Sequence, residues 1–138
     1  MKNDSQSIDQ ENELVKFIFY PDLSLAEEYF KPVKEPIFPQ RYQQIMSDFA
    51  TFCEIHQPSN LLINMRDKAV ILEEDIQQWM KEDIYPRLAA SGAVRKGYLV
   101  PDDFYSQLSI ANSAKNTINS EQRYFETREQ AIAWFQSL

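Results

Sequence analysis

The chain has 138 residues, with 21 acidic against 14 basic side chains and a net charge of −7. This length fits a single domain whose hydrophobic core can be stable without disulfide bonds or bound metal ions. The acidic balance argues against duplex nucleic acid and against an anionic membrane surface as the main partner, because both attract basic patches. Two glycines are too few for a glycine-rich phosphate loop.

The cellular compartment is indicated by the cysteine content and by the absence of apolar segments. Cys53 is the only cysteine, which excludes an intramolecular disulfide and fits a reducing compartment. No stretch reaches the roughly 18 apolar residues that a membrane span needs, and residues 1–13 lack the apolar core of a signal peptide. These features predict a cytoplasmic protein.

The N-terminal third predicts a tail followed by a hairpin and a loop. Residues 1–12 are polar and without periodicity, which predicts a disordered tail before one domain over 13–138. An apolar, aromatic run over 14–20 predicts a strand. A turn leads to a second strand over 23–30, which Ala26, Glu27 and Glu28 weaken. Three prolines between residues 31 and 39 then exclude a helix there.

Two helices and a central strand are predicted next. Apolar residues spaced by three and four predict a helix over 41–56, and a short apolar run over 61–65 has the pattern of a buried central strand. Acidic residues at 73–75 suit the start of a second helix. Pro86 predicts that this helix is kinked or split, and Gly92 is placed to cap it. Its buried face is predicted to consist of Ile76, Met80, Ile84 and Leu88.

The C-terminal part predicts two further strands, at 94–100 and 122–126, with a helix over 103–115 between them. Phe104, Tyr105 and Leu108 would face inward on that helix. Thr127 and Gln130 form a capping box, in which each side chain bonds the other residue's backbone amide. It begins a last helix that buries Ala131, Trp134, Phe135 and Leu138.

The order of these elements predicts an α/β fold with an opening β-hairpin. Strands alternate with helices after the hairpin, which implies right-handed crossovers and a mixed, mostly parallel sheet. We expect about five strands and about four helices.

Three segments of the chain resemble the SpoIIAA-like, or STAS, domain, and in particular small stand-alone bacterial proteins of mostly unassigned function. The segments read LVKFIFYPDLSLAEEYF, then LLINMRD followed by EDIQQWMKEDIYPRLAASGAVRKGYLV, and finally RYFETREQAIAWF. The resemblance covers roughly residues 13–138. It implies a STAS-like fold and a regulatory or binding module.

In this family, anti-sigma-factor antagonists bind a partner through the loop after a central strand and the start of the next helix, and switchable members carry a phosphorylated serine there. The matching residues 64–75 contain neither serine nor threonine, so the resemblance does not extend to the switch. Other relatives bind small apolar or lipid-like ligands between helix and sheet.

No recognisable catalytic motif occurs, and we predict that the protein is not an enzyme and needs no cofactor. His56 ends a helix, where the helix dipole favours an imidazolium. Cys53 falls on an apolar helix face, which favours an inert thiol over a Cys53–His56 catalytic pair. One histidine and one cysteine cannot supply a zinc site, and no loop has calcium-ligand spacing. Core packing is the default role of Trp79 and Trp134; a small pocket could be lined by Tyr98, Tyr105 and Tyr124.

The preferred hypothesis is a module that acts through protein–protein interaction. Its partner surface would lie at the carboxyl end of a central strand, where open α/β sheets place binding sites. The alternative is a domain that binds a small apolar ligand or lipid between sheet and helices. The hairpin is also expected to leave an exposed sheet edge, which favours a homodimer. The candidate surface consists of Arg66, Asp67, Lys68, Glu73, Glu74 and Asp75.

Overall fold

A computed structural model describes residues 7–68, 70, 72–100 and 121–137. Its strands form one six-stranded mixed sheet in which spatial order follows chain order. Neighbouring strands are antiparallel from β1 to β3 and parallel from β3 to β6. The strands are β1 (Ile8–Glu11), β2 (Val15–Tyr20), β3 (Leu25–Phe30), β4 (Asn60–Asn64), β5 (Arg95–Leu99) and β6 (Glu121–Phe125).

The helices of the described residues follow the parallel strands. α1 joins β3 to β4, and a continuous helical run, made of α2, a π-helical turn and α3, joins β4 to β5. α4 follows β6. The bounds are Pro39–His56 for α1, Glu74–Trp79 for α2, Met80–Ile84 for the π turn, Tyr85–Ala90 for α3 and Arg128–Gln136 for α4.

The first strand corrects the prediction of a disordered tail over residues 1–12 in the part that the structure describes, residues 7–12; residues 1–6 lie outside it. Ile8–Glu11 pairs with β2, and all four of its side chains are exposed. Such a strand is held by backbone hydrogen bonds at the sheet edge, so it needs no apolar alternation in sequence. The predicted hairpin of β2 and β3 is confirmed, but its outer edge is covered by β1 rather than exposed.

The second helical run accommodates Pro86 by widening. Proline has no amide hydrogen, and its ring collides with the carbonyl four residues earlier. The chain forms a π turn immediately before α3, and Pro86 lies in the first turn of α3. The predicted disturbance of the helix is therefore confirmed, and it takes the form of a local π turn. Gly92 follows with a φ of +111°, as expected of a C-terminal cap.

The π turn also explains a straight apolar stripe. Ile76, Met80, Ile84 and Leu88 are all buried, as predicted. In an α-helix a spacing of four residues drifts around the axis by about 40° per step. The π turn takes more residues per revolution, so it reverses part of that drift and keeps the four side chains facing the sheet.

The sheet is covered on both sides, and each side has its own core. On one side, which we call the α1 face, α1 and the second helical run pack on β2 to β5; Phe17 contacts the rings of Phe49 and Phe52. On the other side, the α4 face, Trp134 and Phe135 of α4 pack on Leu25, Leu62 and Leu99. Both sides of β3 and β4 are therefore buried.

The C-terminal strand and helix follow the prediction closely. The Thr127 hydroxyl accepts from the Gln130 amide at 3.2 Å, and the Gln130 side chain accepts from the Thr127 amide at 3.3 Å. Ala131, Trp134 and Phe135 are buried. The predicted helix over 103–115 and the side chain of Leu138 lie outside the described residues. The α/β class and the mixed sheet are confirmed, and no helix of the described part is long and apolar enough to cross a membrane.

Candidate functional site

The loop after β4 is held in place by contacts from three directions. The Tyr29 hydroxyl donates to Asp67 Oδ2 at 2.6 Å. The Asn64 side chain accepts from the Arg66 amide at 3.2 Å, and Lys68 Nζ donates to the Glu35 carbonyl at 3.0 Å. The hydrogen bond to Asp67 raises the pKa of Tyr29 to about 12. This loop lies at the carboxyl end of the parallel strands, as predicted.

Within this loop the side chains of Arg66 and Asp67 are exposed. The Arg66 guanidinium makes no hydrogen bond or ion pair with another residue of the described part. Val70 is buried and Leu72 packs against the α1-face core, so the loop returns to the protein body before α2 begins. The loop therefore presents an exposed guanidinium, without an ion pair among the described residues, on a backbone that Asn64 anchors.

The three acids of the candidate surface mark the start of α2. Glu73 directly precedes the helix, and Glu74 and Asp75 occupy its first turn; all three are exposed. Their charge suits the positive end of the helix dipole. Across residues 66–68 and 73–75, no hydrogen bond or ion pair joins the two groups. The structure thus places both groups on the β4–α2 connection without linking their side chains.

A buried charge network on the α4 face escaped the sequence analysis. Glu27 is 3% exposed and accepts from Arg128 Nη2 at 2.8 Å, from Asn64 Nδ2 at 3.0 Å and from the Tyr20 hydroxyl at 3.4 Å. The hydrogen bond to Glu27 raises the pKa of Arg128. The Asn64 side chain also accepts a hydrogen bond from the Arg66 amide. This network therefore helps to fix the loop after β4.

One sequence signal pointed to this network. Arg128 is a cation in the first turn of a helix, where the helix dipole disfavours positive charge. Such a residue implies an acid elsewhere that compensates it. The position of that acid, on a strand 101 residues earlier in the chain, is set by the tertiary fold alone.

On the α1 face the neighbouring residue Glu28 is buried without a partner. It is 0% exposed, and neither carboxylate oxygen has a hydrogen bond to a residue of the described part. Burial raises the pKa of Glu28 well above its usual range, because an ionised carboxylate loses its hydration there. The ionisable groups that interact with it are Tyr42 and Cys53 of α1 and Tyr85 of α3.

A second buried ionisable group, Lys96, lies on the same face. It is 3% exposed, and its Nζ lies 4.2 Å from the centroid of the Tyr85 ring. Tyr85 and Tyr98 both pack against the α1-face core, and the rings of Tyr98 and Tyr124 are 5.1 Å apart. Two of the three tyrosines proposed as a pocket lining therefore meet here; Tyr105 lies outside the described residues.

The two residues considered for catalysis have structural surroundings. Cys53 is buried in the α1-face core, and burial raises the pKa of its thiol. The His56 imidazole stacks on Phe19 at 5.0 Å and contacts the ring of Phe52 at 4.6 Å. Neither arrangement activates a nucleophile. Over the residues that the structure describes, no three histidine, cysteine, aspartate or glutamate side chains cluster as metal ligands.

A shallow groove of about 270 Å³ lies at the opposite end of the strands. It is formed by the turn between β2 and β3 and by the end of α4. None of the predicted site residues contributes to it. The lining residues are Tyr20, Pro21, Asp22, Leu23 and Gln136.

Comparison with known proteins gives no relative from which a function could be transferred. No protein-family model, no curated protein and no solved structure matches this chain.

Proposed function

We propose that the protein is a STAS-like binding module that engages a protein partner through the β4–α2 connection. The observation that carries this proposal is the anchored loop at residues 66–68. Its backbone and its Asp67 side chain are fixed by Asn64 and Tyr29, while the Arg66 guanidinium remains exposed. A group held in this way loses little conformational entropy when a partner binds it.

The charges of the surface define the partner's chemistry. Arg66 suits a carboxylate, because a guanidinium can bond both of its oxygens. The exposed acids Glu73 and Glu74 suit basic side chains. The partner is therefore expected to carry an acidic group beside a basic patch, and opposite charges would speed the encounter at low salt.

Charge reversal at Arg66 tests the proposal. The wild-type protein, Arg66→Glu and the control Lys81→Glu are used as baits in the native host's extract. Lys81 is also exposed, but it lies on the π turn away from the loop. A partner retained by wild type and by the control, and reduced about tenfold or more by Arg66→Glu, is the expected result. Equal capture by all three baits contradicts the proposal.

The alternative, a small-ligand site between sheet and helices, is favoured by a separate observation. Neither carboxylate oxygen of the buried Glu28 has a hydrogen-bonding partner among the described residues, and the ammonium of Lys96, which is 3% exposed on the same face, has no ion pair among them. Unpartnered polar groups inside a protein call for an explanation such as a water, an ion or a ligand. A thermal-shift screen with acyl and isoprenoid compounds tests this candidate, and the absence of any shift contradicts it.

A further inference from the structure

Lys96 is a buried cation without a counter-charge. Its side chain is 3% exposed and makes neither a hydrogen bond nor an ion pair with another described residue. The Tyr85 ring at 4.2 Å contributes about 0.5–2 kcal/mol of cation–π attraction. That is less than the several kcal/mol that removing an ammonium group from water costs. An anion at this position would supply the missing compensation.

The residues around Lys96 can hold such an anion. Tyr85, whose ring lies against Lys96, and Tyr98, two residues further along β5 on the same face, each carry a hydroxyl group, and hydroxyls donate to anionic oxygens. Both tyrosines are half-buried, so the cluster reaches the surface. The rings of Tyr85, Tyr98 and Tyr124 add apolar surface, which suits a ligand with an apolar body.

The charges facing this cluster set the charge of the ligand. The only buried acid on the α1 face, within the described residues, is Glu28 on β3. It lies two strands from Tyr98 with Ile63 between them, about 10 Å away. Burial raises the pKa of Glu28 well above its usual range, so it does not repel an anion. One ammonium balances one negative charge, whereas a dianionic phosphate would retain an unpaired buried charge.

We propose that Lys96, Tyr85 and Tyr98 form the head-group end of a site between β5 and α3 that binds the carboxylate of a small molecule with an apolar body. This inference rests on the second candidate function, the small-ligand site, and not on the partner surface. The Lys96 ammonium pairs with the carboxylate, and the tyrosine hydroxyls complete its hydrogen bonds.

The pH dependence of binding follows from the position of Lys96. Burial lowers the pKa of this lysine to about 8. If only the protonated amine binds a carboxylate, the competent fraction is about 0.9 at pH 7 and about 0.1 at pH 9. Affinity should therefore fall about tenfold between these two pH values. The phenol pKa values of Tyr85 and Tyr98 are raised by burial, so both stay protonated over this range.

Titration calorimetry with three eight-carbon probes tests the site: octanoate, the uncharged octanol and octyl phosphate. Wild type, Lys96→Met, Tyr85→Phe and the exposed control Lys81→Met are compared at pH 7 and pH 9, after circular dichroism has established that each is folded. Octanoate should bind wild type and Lys81→Met alike and more tightly than the other two probes. Its affinity should fall about thirtyfold or more in Lys96→Met and less in Tyr85→Phe.

The outcomes separate this inference from the candidate function on which it rests. Octanoate binding that is unchanged in Lys96→Met overturns the Lys96 site while leaving a small-ligand function intact. Octanol or octyl phosphate binding as tightly as octanoate overturns the carboxylate assignment. If none of the three probes binds wild type, the inference is overturned. The small-ligand function would then be supported only if other compounds shift the melting temperature in the thermal-shift screen.

Discussion

Glu27 and Glu28 are adjacent on β3 and point to opposite faces of the sheet, and both are buried. Glu27 is bonded by Arg128, Asn64 and Tyr20, whereas Glu28 has no hydrogen bond to any residue that the structure describes. The α4 face therefore contains a compensated carboxylate, whereas Glu28 on the α1 face is a buried carboxyl group without a hydrogen-bonding partner among the described residues. Burial alone does not decide what a glutamate contributes to stability; the number of donors that reach it does.

The largest expected effect comes from removing the cation that compensates Glu27 on the α4 face. Arg128→Met leaves Glu27 buried without its cation and should lower the free energy of unfolding by about 2–3 kcal/mol. This is less than the 3–5 kcal/mol typical of a fully buried pair, because the Arg128 side chain is 41% exposed and partly screened. Urea denaturation at pH 7 measures the change.

The double variant Glu27→Met/Arg128→Met sharpens this test. Replacing both members of a buried ion pair by apolar residues is often neutral or stabilising. The double variant should therefore be more stable than Arg128→Met alone. If it is as unstable as the single variant, then the network's role is to pack the two side chains and not to compensate their charge.

The second expected effect is a rise in the free energy of unfolding, and it concerns Glu28 on the α1 face. Glu28→Met removes a carboxyl group that has no partner and keeps a similar volume. We expect the free energy of unfolding at pH 7 to rise by about 1–2 kcal/mol. Glu28→Gln, which keeps the shape but cannot ionise, is the matched control. A loss of more than about 1 kcal/mol in Glu28→Met would mean that this carboxyl has a partner in solution.

The pH dependence of this gain follows from the raised pKa of Glu28. Above the unfolded-state value of about 4.3, the folded protein binds more protons at this residue than the unfolded chain does. Wild-type stability therefore falls, by up to about 1.4 kcal/mol per pH unit, as the pH rises from there through the raised pKa. The advantage of Glu28→Met should be smaller at pH 4 than at pH 7, and Glu28→Gln should lack this slope.

The smallest effect concerns the loop that the Glu27 network supports. Tyr29→Phe removes the hydroxyl that bonds the exposed Asp67, and it should change the free energy of unfolding by less than about 0.5 kcal/mol. Hydrogen exchange at the amides of Arg66 and Lys68 should nevertheless become severalfold faster, because the loop loses one anchor. Unchanged exchange would show that Asn64 and Lys68 fix the loop without Tyr29.

Much of the fold was predictable because its signals are local. The apolar spacing gave the bounds of α1 to within two residues, and the capping box at Thr127 located the start of α4. β1 was missed because its four side chains are all exposed and its pairing depends on the backbone. The hydrophobic pattern of α4 does not indicate on which side of the sheet this helix packs, because tertiary topology decides it.

The candidate site was predictable only in part. Its loop could be placed, because polar residues after a buried strand at the carboxyl end of a parallel sheet are a recurrent arrangement. Glu27 and Glu28 predicted a weak β3, since two adjacent charged residues usually indicate exposure to solvent. Their burial follows from the covering of both faces of the strand. Neither Arg128 near Glu27 nor Tyr85 near Lys96 could be deduced from spacing in the chain.

The bond between Glu27 and Arg128 also affects the order in which the protein can form during synthesis. The two residues are 101 positions apart, so at about 5–20 residues per second Arg128 leaves the ribosome well after the first five strands have been made. Until then, closing the α4 face would bury Glu27 without its cation. A chain that stops before α4 lacks the cation that compensates Glu27, so burial of that face is less favourable. The salt bridge therefore makes stable folding depend on completion of α4.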